Sequence, residues 1–304
     1  MVKEKINSLG IRQSQEVVWQ QLQKITVSSR LGNAYLFYGH SGNGKEYIAT
    51  KFAQMLNCEE DLGSICGKCS SCKRAEILQH ENIHLVFPLP TLKNKSSGSI
   101  DEFDKSNVEI ITDNIKRKSE NPFHKIQIPN ANRILIQSIR ALRRKLYLRT
   151  QNSGRKVVLV FDAHLLNSGQ GEAANAFLKI LEEPPSNTTI ILVTDYMELL
   201  LPTILSRCQK INFPKLNNKY LEDWCSANKV KKAHIPLVIG LSEGDVHKVN
   251  SLISQPLEKI IDSISGLVKA ITEKNPEQWR KFISTYSRYS KQNNSEFFFH
   301  FNML

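Results

Sequence analysis

The sequence Ala34-Tyr-Leu-Phe-Tyr-Gly-His-Ser-Gly-Asn-Gly-Lys-Glu46 decides the fold of this chain. Its first five residues form an apolar run that is typical of a buried parallel strand. Apolar residues recur at helical spacing after Lys45, which predicts a helix there. A strand, a glycine-rich turn and a helix are the context that a phosphate-binding loop requires. The frame of such a loop is supplied by Gly39, Gly42, Gly44 and Lys45.

Apolar runs and helical patterns alternate beyond this stretch. They predict further strands at 84–87, 155–161, 188–194 and 211–213, and helices at 11–32, 137–149, 171–183 and 199–207. This alternation indicates an α/β fold with a parallel sheet. Only helical patterns follow Pro214. We therefore expect a P-loop-like domain over 1–214, a small helical domain over 215–256 and a further helical segment over 257–304.

Two segments carry unusual composition. Residues 89–130 are polar and predict a long surface insertion or a flexible excursion. The formal net charge is +12, and the stretch 116–156 holds twelve Lys or Arg residues and a single acid, Glu120. A basic face of this kind attracts phosphate backbones without reading sequence. Charge alone fits a solvated helix face equally well.

The sequence contains no run of eighteen apolar residues and no apolar segment typical of a signal peptide. We therefore expect no membrane association and a cytoplasmic location. In that compartment, clustered cysteines are more often metal ligands than disulfides.

Four cysteines lie within fifteen residues, directly after the helix that follows the glycine turn. They are Cys58, Cys66, Cys69 and Cys72. This spacing brings four thiolates within reach of one tetrahedral Zn²⁺, and the intervening Gly67-Lys68 lets backbone amides approach the sulfurs. Four cysteines leave no open coordination position, so a structural zinc is expected over about 58–72. An iron–sulfur cluster, disulfides and buried thiols are the alternatives.

The nucleotide site departs from a working phosphate loop at two places. A Ser or Thr hydroxyl that binds Mg²⁺ normally follows the loop lysine, but Glu46 stands here. An acidic pair normally ends a neighbouring strand, but this chain has Phe161-Asp162. Phenylalanine cannot bind a metal, so two metal contacts are missing. We expect that ATP is not bound productively.

Several sequence motifs together resemble those of a known family. Asn33-Ala-Tyr-Leu-Phe-Tyr-Gly39 precedes the loop and the four cysteines follow it. Ala174-Asn-Ala-Phe-Leu-Lys-Ile-Leu-Glu-Glu-Pro-Pro185 and Leu201-Pro-Thr-Ile-Leu-Ser-Arg-Cys-Gln209 come later in the chain. In this order they resemble the clamp-loader subunits of bacterial DNA polymerase III, in the AAA+ superfamily, over roughly 10–255.

The resemblance implies a role in assembly. The family contains ATP-hydrolysing gamma/tau subunits and non-hydrolysing delta-prime subunits, and the departures at Glu46 and Phe161 make this chain similar to the latter. Its implied partners are the gamma/tau and delta subunits, the sliding clamp and primed DNA, within the polymerase III holoenzyme. Arg207 matches the family's arginine finger, which acts on ATP bound by a neighbour. Residues 215–256 would be a helical lid, and 257–304 the start of a truncated collar.

Two other functions fit the sequence. The chain could be an ATP-hydrolysing gamma/tau-type subunit with unusual metal ligands, for which ATP turnover is the discriminating measurement. It could also be a zinc-stabilised DNA-binding protein that uses the basic stretch 116–156 alone, for which DNA binding without partners discriminates. If the chain is a gamma/tau-type subunit, it is an enzyme by itself. If it is similar to delta-prime, as we expect, it is not catalytic alone.

Overall fold

A computed structural model describes residues 10–28, 31–91, 105–148 and 154–254, with scattered helical positions between 265 and 287. The chain divides into two compact units, Met1–Tyr220 and Leu221–Leu304. The first unit contains the phosphate-loop-like turn and the four clustered cysteines. Most of the predicted collar, 257–304, lies outside the described residues.

Within the described part of the first unit, five parallel strands form one sheet in the order β2-β3-β4-β1-β5. The strands are β1 Ala34–Gly39, β2 Ile83–Val86, β3 Lys156–Val160, β4 Thr188–Thr194 and β5 Gln209–Phe213. Every residue of β4 is buried, as expected for a central strand with helices on both faces. The predicted α/β fold with a parallel sheet is confirmed.

The helices of the first unit connect the strands. They are α1 Glu16–Val27, α2 Lys45–Met55, α3 Ser70–Glu76, α4 Lys105–Glu120, α5 Ile136–Tyr147, α6 Glu172–Glu182 and α7 Pro202–Leu205. The helix predicted over 11–32 is shorter than expected, and the one predicted over 199–207 is reduced to four residues. Helices α5 and α6 pack on one face of the sheet through fully buried side chains such as Ile139 and Phe177.

The segment 89–130 contains regular structure that the sequence analysis did not predict. We expected a surface insertion or flexible excursion over 89–130, but residues 105–120 form the sixteen-residue helix α4. Ile111 of this helix is 1% exposed, and Phe123 and Ile126 after it are also buried. These apolar side chains fix the segment against the first unit. Residues 92–104 lie outside the described residues.

The second unit is helical where it is described. Its helices are α8 Asn218–Ala227, which begins just before the boundary, α9 Ile235–Ser242 and α10 Val246–Ile253. Asp245 caps α10 by accepting hydrogen bonds from the amides of His247 and Lys248. None of the helices in the described ranges is long and apolar enough to cross a membrane. The boundaries at 214 and 256 stay predictions.

Candidate functional site

One backbone amide of the glycine turn after β1 has a hydrogen-bond partner within the turn. Gly39 (φ 146°) ends the strand and Gly44 (φ 84°) precedes α2, both in conformations that favour glycine. The buried side chain of Asn43 donates to the carbonyl of Phe213 at 2.9 Å and accepts from the backbone amide of Lys45 at 3.3 Å. Amides at helix N-termini are the donors that bind phosphate. Here one of them already has a partner.

The loop lysine is ion-paired inside the protein. The ammonium group of Lys45 contacts the carboxylate of Asp195 and donates to the carbonyl of His40 at 2.8 Å. Asp195 directly follows β4, the neighbour of β1, so the two residues meet at the carboxyl edge of the sheet. Burial lowers the pKa of Lys45, and the carboxylate of Asp195 opposes this effect.

Glu46 is paired with helix α4, in the segment that was predicted to be a surface insertion or a flexible excursion. Its carboxylate contacts the ammonium group of Lys118 on α4, which is 5% exposed. Lys118 also donates to the carbonyl of His124 at 2.6 Å and lies 5.3 Å from the ring centre of Phe161. Burial alone would raise the pKa of Glu46, but the ammonium groups of Lys118 and Lys125 lower it below its ordinary value. An internal ion pair therefore occupies the position of the Mg²⁺-binding hydroxyl.

Lys125 joins the ends of β3 and β4. Its ammonium nitrogen lies 2.5 Å from a carboxylate oxygen of Asp195 and 3.9 Å from one of Asp162. Burial raises the pKa of Asp162 to about 6, against the opposing charge of Lys125. Burial would also raise the pKa of Asp195, but Lys45 and Lys125 bring it down to about 2.

The cluster as a whole is electrically balanced. Three ammonium groups face three carboxylates, those of Lys45, Lys118 and Lys125 and those of Glu46, Asp162 and Asp195. A nucleotide site needs an excess of positive charge to attract a triphosphate. This arrangement offers none, because each ammonium group is already close to a carboxylate.

The raised pKa of Asp162 predicts that the free energy of unfolding depends on pH. The folded state binds the proton of Asp162 more tightly than the unfolded state does. Protonated Asp162 therefore adds to the free energy of unfolding at low pH, and this contribution is lost as pH rises from about 4 to about 6. The substitution Asp162→Asn removes this loss, and asparagine tolerates the left-handed conformation at this position (φ 48°). Between pH 4.5 and 7.0, we expect the variant to gain about 2 kcal/mol in unfolding free energy relative to the unsubstituted chain. Urea unfolding at both pH values measures this, and an equal difference at the two values would contradict it.

The four cysteines form a compact cluster. The sulfurs of Cys58, Cys66, Cys69 and Cys72 all lie within 4.8 Å of one another, and none forms a disulfide. Tetrahedral zinc with bonds of about 2.3 Å places its sulfurs roughly 3.8 Å apart. The amides of Lys68 and Cys69 donate to the sulfur of Cys66 at 3.4 and 3.3 Å, as the spacing predicted. The cluster can hold a metal ion with an all-thiolate set.

The cysteine cluster is tied to the helix that starts at the phosphate loop. Lys51 of α2 pairs with Glu76 of α3 at 2.6 Å, and Gln54 donates to the carbonyl of Cys72 at 2.9 Å. Lys51 and Gln54 are both buried. Order in the cluster is therefore linked to order in α2.

Arg207 lies apart from the phosphate loop, in the turn between α7 and β5. Its guanidinium group donates to Glu182 at 2.7 Å and to the carbonyl of Thr203 at 2.9 Å. The side chain is 35% exposed. The structure therefore separates Arg207 from the chain's own loop and leaves it partly accessible from outside.

Sequence reasoning missed three members of the charged cluster. Asp195 had a usable signal, because it follows an apolar strand directly, as Asp162 does. Lys118 and Lys125 had none, since their partners lie 72 and 70 residues away in the sequence. Lys118 and Lys125, two of the twelve basic residues in 116–156, are thus engaged in ion pairs with the charged cluster.

The parallel sheet and the glycine-rich turn between β1 and α2 define a P-loop-type α/β protein. The family described as "DNA polymerase III, delta subunit" matches residues 14–217. The chain belongs to this family, which confirms the delta-prime-like clamp-loader resemblance found in the sequence.

Two DNA polymerase III subunits and one solved structure are similar to this chain. The DNA polymerase III subunit delta' of Bacillus subtilis is 30% identical over 196 residues, which are 64% of this chain and 46% of that protein. The subunit tau of the same organism is 25% identical over 252 residues, which are 80% of this chain and 36% of that protein. The chain thus spans less than half the length of these relatives. A crystal structure of a gamma subunit-related protein from Thermotoga maritima matches 93% of this chain and 76% of its own, with 20% identity and a TM-score of 0.45.

Proposed function

We infer that this chain is a non-hydrolysing, delta-prime-like subunit of a DNA polymerase III clamp loader, which supplies Arg207 to ATP bound by a neighbouring subunit. The observation that carries the proposal is the internal ion pair between Lys45 and Asp195. A phosphate-loop lysine that is paired in this way has no free charge for the β- and γ-phosphates. The chain then supplies Arg207 and a structural role to the complex, and it hydrolyses no ATP itself.

The surroundings of Arg207 fit action in trans. Its partner Glu182 is itself 47% exposed. An exposed ion pair contributes about 0–1 kcal/mol, so a neighbour's phosphate can displace the carboxylate at little cost. The planar guanidinium group then stabilises charge on the transferring phosphoryl group.

The partners implied by this role are the gamma/tau and delta subunits, the sliding clamp and primed DNA. Helix α5 carries an exposed row of cationic side chains that suits a phosphate backbone, namely Arg140, Arg143, Arg144 and Lys145. The cysteine cluster holds one structural zinc, because four thiolates leave no open position. Residues 215–256 act as the lid, and 257–304 begin the collar that joins the subunits.

Reconstitution tests the proposed function. The chain is mixed with gamma/tau and delta subunits from the same source, and ATP turnover is measured with a sliding clamp and primed DNA. We expect the chain to join the complex and to raise turnover, while the chain alone shows none. Turnover by the isolated chain would favour a gamma-type enzyme. Binding to primed DNA without any association with the subunits would favour an independent DNA-binding protein.

A further inference from the structure

We propose that residues 105–127 are a built-in ligand of the phosphate loop, which holds the loop in one ordered conformation without nucleotide. The inference rests on the proposed function only in requiring that no nucleotide enters the site. Its basis is a correspondence between two features of the chain. The positions where the nucleotide site departs from a working one, Glu46 and Phe161-Asp162, are the positions that the lysines of this segment contact.

Lys118 meets two of these positions at once. Its ammonium group pairs with Glu46 and lies over the ring of Phe161. A cation on an aromatic face is attracted by the ring quadrupole, and more strongly when it is desolvated. A threonine at position 46 and an aspartate at position 161 would bind magnesium; the residues present bind a lysine instead.

Lys125 is a second cation at the same edge of the sheet. It lies between Asp195 and Asp162, at the carboxyl ends of neighbouring strands. In a working site, a carboxylate at the end of the strand equivalent to β3 helps to hold the magnesium ion. The attraction of Asp195, Glu46 and Asp162 outweighs burial and raises the pKa of Lys125. The ammonium group therefore remains charged and acts as a tethered cation.

The segment is organised to present both lysines. Asn114 of α4 accepts from the backbone amide of Gln127 at 3.2 Å and bonds to the ring of His124 at 3.1 Å. These bonds connect the residues around Lys125 to the helix that carries Lys118. The buried side chains of Ile111, Phe123 and Ile126 anchor residues 105–127 in the protein. Such an arrangement is specific, unlike a solvated basic face.

A loop that is held from within keeps its shape throughout the ATP cycle of its neighbours. In nucleotide-dependent switch proteins, contacts to the γ-phosphate and Mg²⁺ order segments beside the nucleotide, and hydrolysis releases them. Here the ordering groups are covalently part of the chain. The role of the insertion is then to replace the nucleotide and metal ion, which this phosphate loop does not bind.

Hydrogen exchange of the intact chain tests the inference. Lys118→Met and Lys125→Met remove the tethered cations, and Lys116→Met, exposed on the same helix, is the matched control. We expect amides in 39–47 to exchange at least tenfold faster in each of the first two variants and at the unsubstituted rate in the control. Unchanged exchange in both lysine variants would overturn the proposal.

A double-mutant cycle keeps the test decisive if a single variant folds poorly. Removing one partner of a buried ion pair leaves an unpaired charge, whereas removing both does not. Lys118→Met should therefore lower the melting temperature by about 10 °C, and Glu46→Gln added to it should recover at least half of that loss. Additive losses would contradict the pairing. The proposed function fails separately if 0.1 mM Mg-ATP raises the melting temperature of the unsubstituted chain, since only binding far tighter than 1 mM has an effect at that concentration.

Discussion

Replacing Arg207 with alanine should lower the DNA-stimulated ATP turnover of the reconstituted clamp loader by on the order of 10³-fold. The chain itself should stay folded and should still join its partners, because the side chain is 35% exposed and its ion pair with Glu182 contributes little to stability. The loss arises in the neighbour's site, where charge developing on the phosphate would have no donor. Steady-state turnover with clamp and primed DNA measures it.

Two comparisons isolate the role of the guanidinium group. Arg207→Lys should restore little activity, since a point charge lacks the planar fork that contacts two oxygens. Lys210→Ala removes an exposed cation three residues later and should leave turnover unchanged. If the Arg207→Ala complex turns over ATP and loads clamps at the normal rate, the residue has a structural role only.

Removal of the metal should have the second large effect. We expect one zinc per chain, and Cys69→Ser should lower the melting temperature by about 10 °C, because a structural zinc contributes folding free energy directly. Destabilisation should extend to α2 through the bonds of Lys51 and Gln54 to α3 and Cys72. Metal analysis and thermal unfolding with and without a chelator provide the measurement.

Cys208→Ser serves as the matched control for the metal. This cysteine is partly buried and lies outside the cluster, so its replacement should leave zinc content at one per chain. Iron in place of zinc, or two disulfides among the four clustered cysteines, would contradict the assignment.

The sheet could be predicted from the sequence because its strands are short apolar runs between turn residues. The strand over 188–194 was predicted with the bounds that the structure gives, since all of its residues are buried and apolar or β-branched. Helix α4 was missed because its sequence is polar overall. A signal was nevertheless present, as Val108, Ile111 and Ile115 follow at helical spacing.

The site could be predicted only in part. Glu46 and Phe161 predict that metal contacts are missing, because those positions belong to a local motif. The groups that replace these contacts come from tertiary structure. Lys118 and Lys125 belong to a distant segment, and no local sequence pattern specifies how that segment packs against the sheet. Local sequence thus indicates which groups a site lacks more readily than which distant groups occupy it.

Calorimetric titration of the isolated chain with Mg-ATP tests the central claim most directly. A phosphate loop whose lysine is paired with Asp195 and whose first helical turn is paired with Lys118 has no free charge for a triphosphate. A gamma-type subunit titrated under the same conditions is the positive control. The account predicts no binding tighter than about 1 mM, or roughly −4 kcal/mol. A micromolar dissociation constant, about −8 kcal/mol, would contradict it.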